Sequence, residues 1–275
     1  IGVVKHPAVG AGVEGHVVYP GGAGGSRNGK MIAAQGHSVL LHGRSADKLA
    51  AAAQAVAAVP GSGVVKTYRA DLSDLSEVTA LADAIKGAHG ALDALINNAG
   101  VFTLAQPLNK EGYDVRFVVN TLAPFRLTKS LFPILGSEAR VVNLSSAAQA
   151  PVRFNEFVAK RAFSDNEAYA QSKLAITMWT FVLAAQRGRS GPVMIAVNPA
   201  SFLGSKMVKE AYGRAGNDLR IGADILTRAA LSDEFAEATG QYYDNDRRAF
   251  AIPHPDAMNP AKNEELVRAI EDFLA

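Results

Sequence analysis

The sequence predicts an α/β fold in which helices cover both faces of a doubly wound parallel sheet of about seven strands. From Val17 onward, short runs rich in Val, Ile and Leu alternate with longer amphipathic segments, which is the pattern of βαβ units. A glycine-rich turn follows the first run, in the position where such units bind phosphate groups. With 275 residues, 48% of them hydrophobic, the chain is long enough to bury one large core.

Seven segments are predicted as strands because each is short or rich in β-branched residues. They are residues 17–19, 38–41, 64–68, 91–96, 140–144, 193–197 and 241–243. Helices are predicted in the intervals. Two of them should begin at N-capping serines, which are Ser45, followed by Asp47, and Ser73, followed by Glu77. One or two long helices are predicted over residues 109–135.

The composition narrows the classes of partner. Lys and Arg number 28 against 26 Asp and Glu, so the net charge of +2 favours neither nucleic acid nor an anionic membrane. No run approaches the roughly 18 apolar residues of a membrane-spanning helix, and the lack of cysteine suits a cytoplasmic protein. The six histidines show no metal-ligand spacing. We therefore expect a cytoplasmic, metal-free protein whose partners are small molecules or other subunits.

Two features point to a phosphate-bearing cofactor. The turn at residues 20–25 precedes an apolar helix, so backbone N–H groups around Gly21 and Gly25 could cradle a pyrophosphate. Arg44 follows the second strand, where an NAD enzyme commonly has an acidic residue, and an arginine suits the 2′-phosphate of NADP. The alternatives are a glycine turn without a ligand and a solvated arginine ahead of a helix.

Further cofactor contacts are predicted after the third and fourth strands. Asp71 and Leu72 could contact an adenine ring, or Asp71 could cap the helix that follows. Asn98, Ala99 and Gly100 are residues that let the backbone run close to a cofactor ribose.

The strongest constellation contains a serine, a tyrosine and a lysine. Ser146 ends a strand, and Tyr169 and Lys173 lie one turn apart on the same face of an apolar helix. An adjacent ammonium favours the phenolate of a tyrosine, whose reference pKa is about 10, so Lys173 can tune Tyr169 for proton transfer. Ser146 can donate a hydrogen bond to a substrate oxygen on which charge develops. Asn120 lies in an apolar run, so its buried side chain needs hydrogen-bond partners. The alternative to a site role is a structural one, in which Asn120 holds a bend or a water.

The order and spacing of these motifs resemble the short-chain dehydrogenase/reductase family over nearly the whole chain. The matching features are the glycine-rich turn, residues 97–100, Asn120, Ser146, Tyr169 with Lys173, and residues 198–199. The long interval between Ser146 and Tyr169 looks most like the retinol dehydrogenase-like branch, which usually uses NADP.

The resemblance implies a role for each residue. Tyr169 would be the general acid/base, and Lys173 would bind the nicotinamide ribose and lower the pKa of the tyrosine. Ser146 would polarise the substrate carbonyl, and Asn120 would support a proton-relay water. Residues 17–275 would form one Rossmann-type dinucleotide-binding and catalytic domain, with residues 1–16 left unassigned.

The glycine-rich turn departs from the family pattern. Pro20 stands where a threonine is usual, and Arg27 stands where the last glycine is usual. Gly29 could replace that glycine only if the loop followed a different path.

The region after the sixth strand departs from the pattern as well. Pro199 is a predicted cofactor contact, and Ala200 follows it where glycine is usual. If the family's backbone conformation here requires glycine, the chain would have to follow a different path at Ala200. The usual contact to the nicotinamide carboxamide falls at Ser205, about one residue later than is common in the family.

Two irregular segments, residues 153–166 and 201–222, are predicted to wall or close a substrate site. Arg153, Lys160 and Arg161 could meet an anionic substrate there, although a solvated loop is the alternative.

The helix over residues 169–185 is apolar on nearly all sides, so something beyond the sheet must cover it. A second subunit would do so in a homodimer or homotetramer, and the chain's own C-terminal region is the alternative.

Two functions follow. The first is an NADP(H)-dependent oxidoreductase that acts on a carbonyl or alcohol, without nucleic acid or membrane partners. The second is a catalytically inactive NADP-binding sensor or interaction protein, which the altered glycine turn motivates.

Overall fold

A computed structural model of the chain describes residues 16–20, 25–201, 203 and 216–275. Within these ranges, eight strands form one sheet in the order β3-β2-β1-β4-β5-β6-β7-β8. The first seven strands pair in parallel, and β8 runs antiparallel to β7. The predicted doubly wound parallel fold is confirmed, with one short edge strand beyond the seven expected.

The strands agree closely with the predicted segments, apart from β5 and the extra β8. Their bounds are β1 (His16–Pro20), β2 (Ser38–Gly43), β3 (Val65–Arg69), β4 (Leu92–Asn97), β5 (Leu135–Leu144), β6 (Val193–Asn198), β7 (Gln241–Asp244) and β8 (Ala249–Phe250).

Helices connect the strands and cover both faces of the sheet. They are α1 (Gly25–Ala33), α2 (Ala46–Ala57), α3 (Leu75–Ala88), α4 (Val115–Phe117), α5 (Ala123–Leu131), α6 (Phe154–Phe157), α7 (Asp165–Arg187), α8 (Leu219–Leu231) and α9 (Pro260–Leu274). A π-helical turn, Val118–Leu122, joins α4 to α5.

One of the two predicted N-caps is correct. Ser45 caps α2, and its hydroxyl accepts from the backbone N–H of Lys48. The cap predicted at Ser73 is wrong, because Asp74 caps α3 and accepts from the N–H of Ser76 at 2.9 Å. Ser73 instead donates through its N–H and its hydroxyl to Asp71 Oδ1, so it shapes the turn before the helix.

The helix predicted over residues 109–135 is wrong at both ends. The helical path begins at Val115, because Asp114 caps it by accepting from the N–H of Arg116. It ends in a short 3-10 turn, Phe132–Ile134, which contains a proline that cannot donate to a continuing helix. Leu135 already belongs to β5.

The two irregular segments are more ordered than predicted where the structure describes them. Helix α6 interrupts residues 153–166, and α7 begins at Asp165. Within residues 201–222, positions 202 and 204–215 lie outside the described residues. Gly222 lies inside α8, where a Cβ would come within 2.5 Å of Leu203 Cδ1, so this glycine serves close packing.

Two apolar clusters lie on opposite faces of the sheet. Helices α3, α5, α7 and α9 pack on one face, and α1, α2 and α8 pack on the other. Leu266, Val267 and Ile270 of α9 share a cluster with Trp179 of α7, so the chain's own C-terminal helix supplies part of the cover that α7 requires. None of the helices in the described ranges has the length and hydropathy of a membrane crossing.

Candidate active site

The candidate site lies at the carboxyl edge of the parallel sheet. The strand order reverses between β1 and β4, and ligands of doubly wound sheets bind at the carboxyl ends beside such a reversal. Gly100 follows β4, Ser146 follows β5 and Pro199 follows β6. The edge therefore collects predicted site residues from three neighbouring strands.

Several hydrogen bonds tie the end of β5 to α7, and two of them involve Lys173. The ammonium of Lys173 donates to the main-chain carbonyl of Leu144 at 2.7 Å, and the Ser145 hydroxyl donates to the carbonyl of Lys173 at 3.1 Å. Because Ser146 is the next residue, these bonds hold it beside the helix that carries Tyr169.

The ammonium of Lys173 is buried, with 4% of the residue exposed. Burial lowers the pKa of Lys173 to about 8, because removal from water disfavours the charged form. Leu144 is the single hydrogen-bond acceptor that the described part of the chain offers to an ammonium with three donors. The remaining N–H groups can therefore bind hydroxyl groups of a cofactor.

Tyr169 lies half-buried one helical turn before Lys173. The lysine nitrogen is 5.6 Å from the centroid of the tyrosine ring. The ring of Phe102 packs edge-on against Tyr169, with 4.9 Å between the centroids. The predicted tyrosine–lysine pair is thus formed, and Phe102 is a neighbour that the sequence did not reveal.

The amide of Asn120 connects the loop after β4 to α7. It accepts from the N–H of Val101 at 2.8 Å, and it donates to the Val101 carbonyl and to the Ser172 hydroxyl, each at 3.0 Å. Ser172 in turn donates to the main-chain carbonyl of Tyr169 at 2.7 Å. Asn120 therefore reaches the tyrosine helix through one side chain.

The π-helical turn that carries Asn120 was not predicted. Single π turns interrupt α-helices frequently at functional sites, because the wider turn redirects side chains. Here Asn120 and its neighbour Thr121 both bond to Ser172, Thr121 through the main-chain carbonyl at 3.0 Å.

A buried ion pair fixes the first turn of α7. Arg116 and Asp114 are both fully buried and form two hydrogen bonds, of 2.8 Å and 2.6 Å. The same guanidinium also bonds to Asp165 and donates to the carbonyl of Phe163 at 2.9 Å. The start of the tyrosine helix is therefore anchored to the cap of α4.

Two arginines lie at the carboxyl ends of β2 and β3. Arg44 is exposed, and Arg69 Nε donates to its main-chain carbonyl at 3.2 Å. Arg44 was predicted from the sequence and Arg69 was not, because only the pairing of β2 with β3 brings them together.

The side chains of Asp71 and Leu72 are occupied within the protein. Asp71 accepts from both the N–H and the hydroxyl of Ser73, and it does not cap α3. Leu72 is buried in the core that α3 and α5 share. The backbone of Asp71 is engaged as well, because its N–H donates to Glu77 Oε2 at 2.8 Å and its carbonyl accepts from the N–H of Asp74 at 3.0 Å.

Asn98, Ala99 and Gly100 are partly exposed beside the tyrosine–lysine pair. A Cβ at Gly100 would lie 3.5 Å from Lys173 Nζ and 3.6 Å from Asn120 Oδ1. The missing side chain leaves room against both predicted catalytic groups, which suits the close approach of a ribose.

Ala200 keeps a backbone conformation that favours glycine. Its φ is 122°, so the change of path expected for an alanine after Pro199 does not occur. The loop is held from outside, because Asn245 donates to the Pro199 carbonyl at 3.0 Å and Asp246 accepts from the N–H and hydroxyl of Ser201.

The glycine-rich turn lies mostly outside the described residues, as does Ser205. Gly21 belongs to that part, and Gly25 is the first residue of α1. Arg27 is exposed and lies 3.7 Å from Asp218. Gly29 does not replace the missing glycine of the turn, because it lies inside α1, where a Cβ would come within 3.2 Å of Val56.

The cations of residues 153–166 are engaged with neighbours. Arg153 pairs with Glu167, Lys160 lies over the ring of Tyr113, and the Arg161 guanidinium is 4.3 Å from the centroid of the Phe163 ring.

A doubly wound parallel sheet with a reversal of strand order between β1 and β4 is the architecture of a nucleotide-binding α/β protein, and the tyrosine–lysine pair of α7 lies near its carboxyl edge. The family model described as short chain dehydrogenase matches residues 16–214. The chain belongs to this family of oxidoreductases, whose members use a nicotinamide cofactor, NAD or NADP, and act on small molecules.

Individual relatives agree with this assignment. Retinol dehydrogenase 13 of Homo sapiens is 27% identical over 265 residues, covering 90% of this chain and 78% of its own. Retinol dehydrogenase 12 of Mus musculus is 29% identical over 252 residues, covering 86% and 79%. The resemblance to the retinol dehydrogenase-like branch is confirmed.

Solved structures show the same fold. An uncharacterized protein from Mycobacterium Paratuberculosis has a TM-score of 0.77 and 26% identity, covering 94% of this chain and 92% of its own. A short-chain dehydrogenase/reductase from Serratia marcescens BCRC 10948 has a TM-score of 0.66 and 26% identity, covering 84% and 95%.

Proposed function

We propose that the protein is an NADP(H)-dependent oxidoreductase that interconverts a carbonyl and an alcohol, with Tyr169 as general acid/base. The observation that carries the proposal is the buried ammonium of Lys173, which has one acceptor among the described residues and lies beside the Tyr169 ring. A buried cation costs stability, and strongly perturbed ionisable groups cluster at functional sites. The spare donors of this ammonium suit the hydroxyl groups of a nicotinamide ribose.

The proposed chemistry divides between cofactor and protein. When bound, the nicotinamide supplies hydride to the carbonyl carbon, or accepts it from the alcohol carbon. In the reductive direction Tyr169 gives its hydroxyl proton to the substrate oxygen, and the Lys173 ammonium stabilises the phenolate that remains. The oxidative direction reverses both transfers.

Ser146 would donate a hydrogen bond to the same substrate oxygen. Its Oγ accepts from the N–H of Ala148 at 3.1 Å, so the hydroxyl hydrogen is available to donate. Such a donor stabilises the charge that develops on the oxygen during transfer.

Asn120 would act mainly as a tether between the loop after β4 and α7. Both hydrogens of its amide are used by Val101 and Ser172, and Oδ1 already accepts one bond. The second lone pair of Oδ1 remains as the acceptor for the proposed relay water.

The proposed preference for NADP rests on the positive charges at the carboxyl ends of β2 and β3. Arg44 and Arg69 meet there through the hydrogen bond from Arg69 Nε to the Arg44 carbonyl. Guanidinium groups bind phosphate through paired, charge-assisted hydrogen bonds, so two of them suit the extra phosphate of NADP.

A fluorescence titration with NADPH and with NADH tests the proposed cofactor. Binding that is at least about tenfold tighter for NADPH, a difference of about 1.4 kcal/mol, supports it. Equal affinity would remove the NADP assignment. Binding of neither nucleotide would contradict the proposed function, whereas NADPH binding without turnover of any carbonyl compound would favour the inactive NADP-binding protein.

We also infer a cytoplasmic homodimer or homotetramer. The lack of cysteine suits the compartment, and exposed apolar residues support assembly, since Phe250, Met258 and the 78%-exposed Ile252 border one groove. Light scattering on the purified protein tests the assembly, and a monomer at micromolar concentration would contradict it.

A further inference from the structure

The main-chain carbonyl of Ser146 accepts two side-chain hydrogen bonds. The hydroxyl of Tyr242 donates to it at 3.1 Å, and Gln149 Nε2 donates to it at 2.9 Å. Tyr242 is 5% exposed and lies on β7, two strands away from β5. Neither residue belongs to the constellation read from the sequence.

The C-terminal segment holds Gln149 in turn. Gln149 Oε1 accepts from the backbone N–H of His254 at 2.9 Å, and its Nε2 also lies 3.3 Å from Ser145 Oγ. Each end of the amide thus has a defined partner, which fixes which end faces the carbonyl of Ser146.

These hydrogen bonds constrain the backbone from which the Ser146 hydroxyl projects. Two donors on one carbonyl hold the plane of the peptide bond that follows, and this plane contains the Cα from which the Ser146 side chain projects. The N–H of Ala148 in turn donates to Ser146 Oγ at 3.1 Å. Burial raises the pKa of Tyr242, with the charges of Asp244 and Asp246 adding to the effect, so its hydroxyl remains a proton donor.

We propose that Tyr242 and Gln149 are positioning residues that hold the Ser146 carbonyl and so aim its hydroxyl at the substrate oxygen. This inference rests on the proposed function, because it gives these two residues no role apart from that of Ser146. A displacement of about 1 Å in a reacting group can lower a rate on the order of a hundredfold, so loss of either hydrogen bond should be visible in turnover.

The test begins with Tyr242→Phe and Gln149→Leu, assayed on the carbonyl compound that the wild type reduces fastest in a panel of hydrophobic aldehydes and ketones. Each variant should lower kcat at least about fivefold, while the Kd for NADPH and the Tm stay near wild type. The matched control is Tyr243→Phe. Tyr243 is a buried neighbour on the same strand that packs on the opposite face of the sheet against Phe235, so this variant should keep the wild-type kcat.

A double-mutant cycle separates positioning from general loosening. If Tyr242 acts through Ser146, then Tyr242→Phe should have no further effect on kcat once Ser146→Ala is present. An equal fall on both backgrounds, or a wild-type kcat in both single variants, would overturn the inference. If Ser146→Ala itself kept the wild-type kcat, the proposed role of Ser146 would fail, and the positioning role would fail with it.

Discussion

The ammonium of Lys173 donates to the main-chain carbonyl of Leu144, the last residue of β5, and this bond is one of several that join the tyrosine helix to that strand. The same bond is the sole one that the described residues provide to the buried ammonium. Lys173 therefore has a structural partner on one side and unused donors on the other, which links the stability of the fold to the proposed chemistry.

The charge of Lys173 should cost stability in a pH-dependent way. Its pKa falls from 10.5 to about 8 on folding, so the folded chain binds this proton more weakly than the unfolded chain. The cost, roughly 3 kcal/mol, is present in full below about pH 8 and is relieved as the pH rises toward 10.5. Lys173→Met also loses one hydrogen bond, worth about 1 kcal/mol, so it should gain about 1–2 kcal/mol at pH 7.

Urea unfolding of Lys173→Met and wild type at pH 7 and pH 10.5 measures this effect. The variant should be more stable at pH 7 and no more stable at pH 10.5. The same difference at both pH values would show that the ammonium is not the cause. Lys48→Met, at an exposed position of α2, is the control and should change the free energy of unfolding by less than about 0.5 kcal/mol.

Ala200→Gly should stabilise the protein. The φ of 122° strains an alanine at a cost on the order of 1 kcal/mol or more, and glycine adopts this conformation freely. A gain of about 1 kcal/mol in urea unfolding is expected. Ala91→Gly is the control, since Ala91 is exposed and has no positive φ, and it should lose about 0.4–1 kcal/mol. A loss at Ala200 comparable with that at Ala91 would contradict the proposed strain.

Arg116→Met should be strongly destabilising. It leaves the fully buried carboxylate of Asp114 without its cation, and breaking a buried pair costs about 3–5 kcal/mol. Arg268→Met is the comparison, because Arg268 pairs with Glu264 on the surface and should contribute no more than about 1 kcal/mol. Similar losses of unfolding free energy in the two variants would show that the buried pair does not anchor α7 as inferred.

Arg44→Ala and Arg69→Ala should each weaken NADPH binding by about 10- to 100-fold, since charge-assisted hydrogen bonds are worth about 1.5–3 kcal/mol. NADH binding should change by less than about threefold, because NADH lacks the 2′-phosphate. Fluorescence titration with both nucleotides measures the ratio, and Arg268→Ala on α9 is the control. Equal losses for the two nucleotides would refute the 2′-phosphate role.

Most of the sheet could be predicted from the sequence, because buried parallel strands are short apolar runs with little ambiguity. The exception at β5 has a physical cause. Leu135 pairs with Leu92, but the register then shifts before Arg140 pairs with Ala94, so the Gly-Ser-Glu stretch at residues 136–138 lies in an irregular part of the strand. In the sequence they resemble a turn.

Spacing alone predicts that two site residues lie close together only where they share one element. Tyr169 and Lys173 lie one turn apart on a helix, so spacing alone brings them together. Gln149 and Tyr242 reach Ser146 from a loop and from a distant strand, and no local pattern indicates such contacts.

The most direct test of the proposed function is the rate of NADPH oxidation by Tyr169→Phe in the presence of a carbonyl substrate that the wild type reduces. Phenylalanine keeps the ring packed against Phe102 but has no transferable proton. We predict that the variant binds NADPH with the wild-type Kd and that its kcat falls by about 100-fold or more. A kcat equal to that of the wild type would contradict the assignment of Tyr169 as the general acid/base.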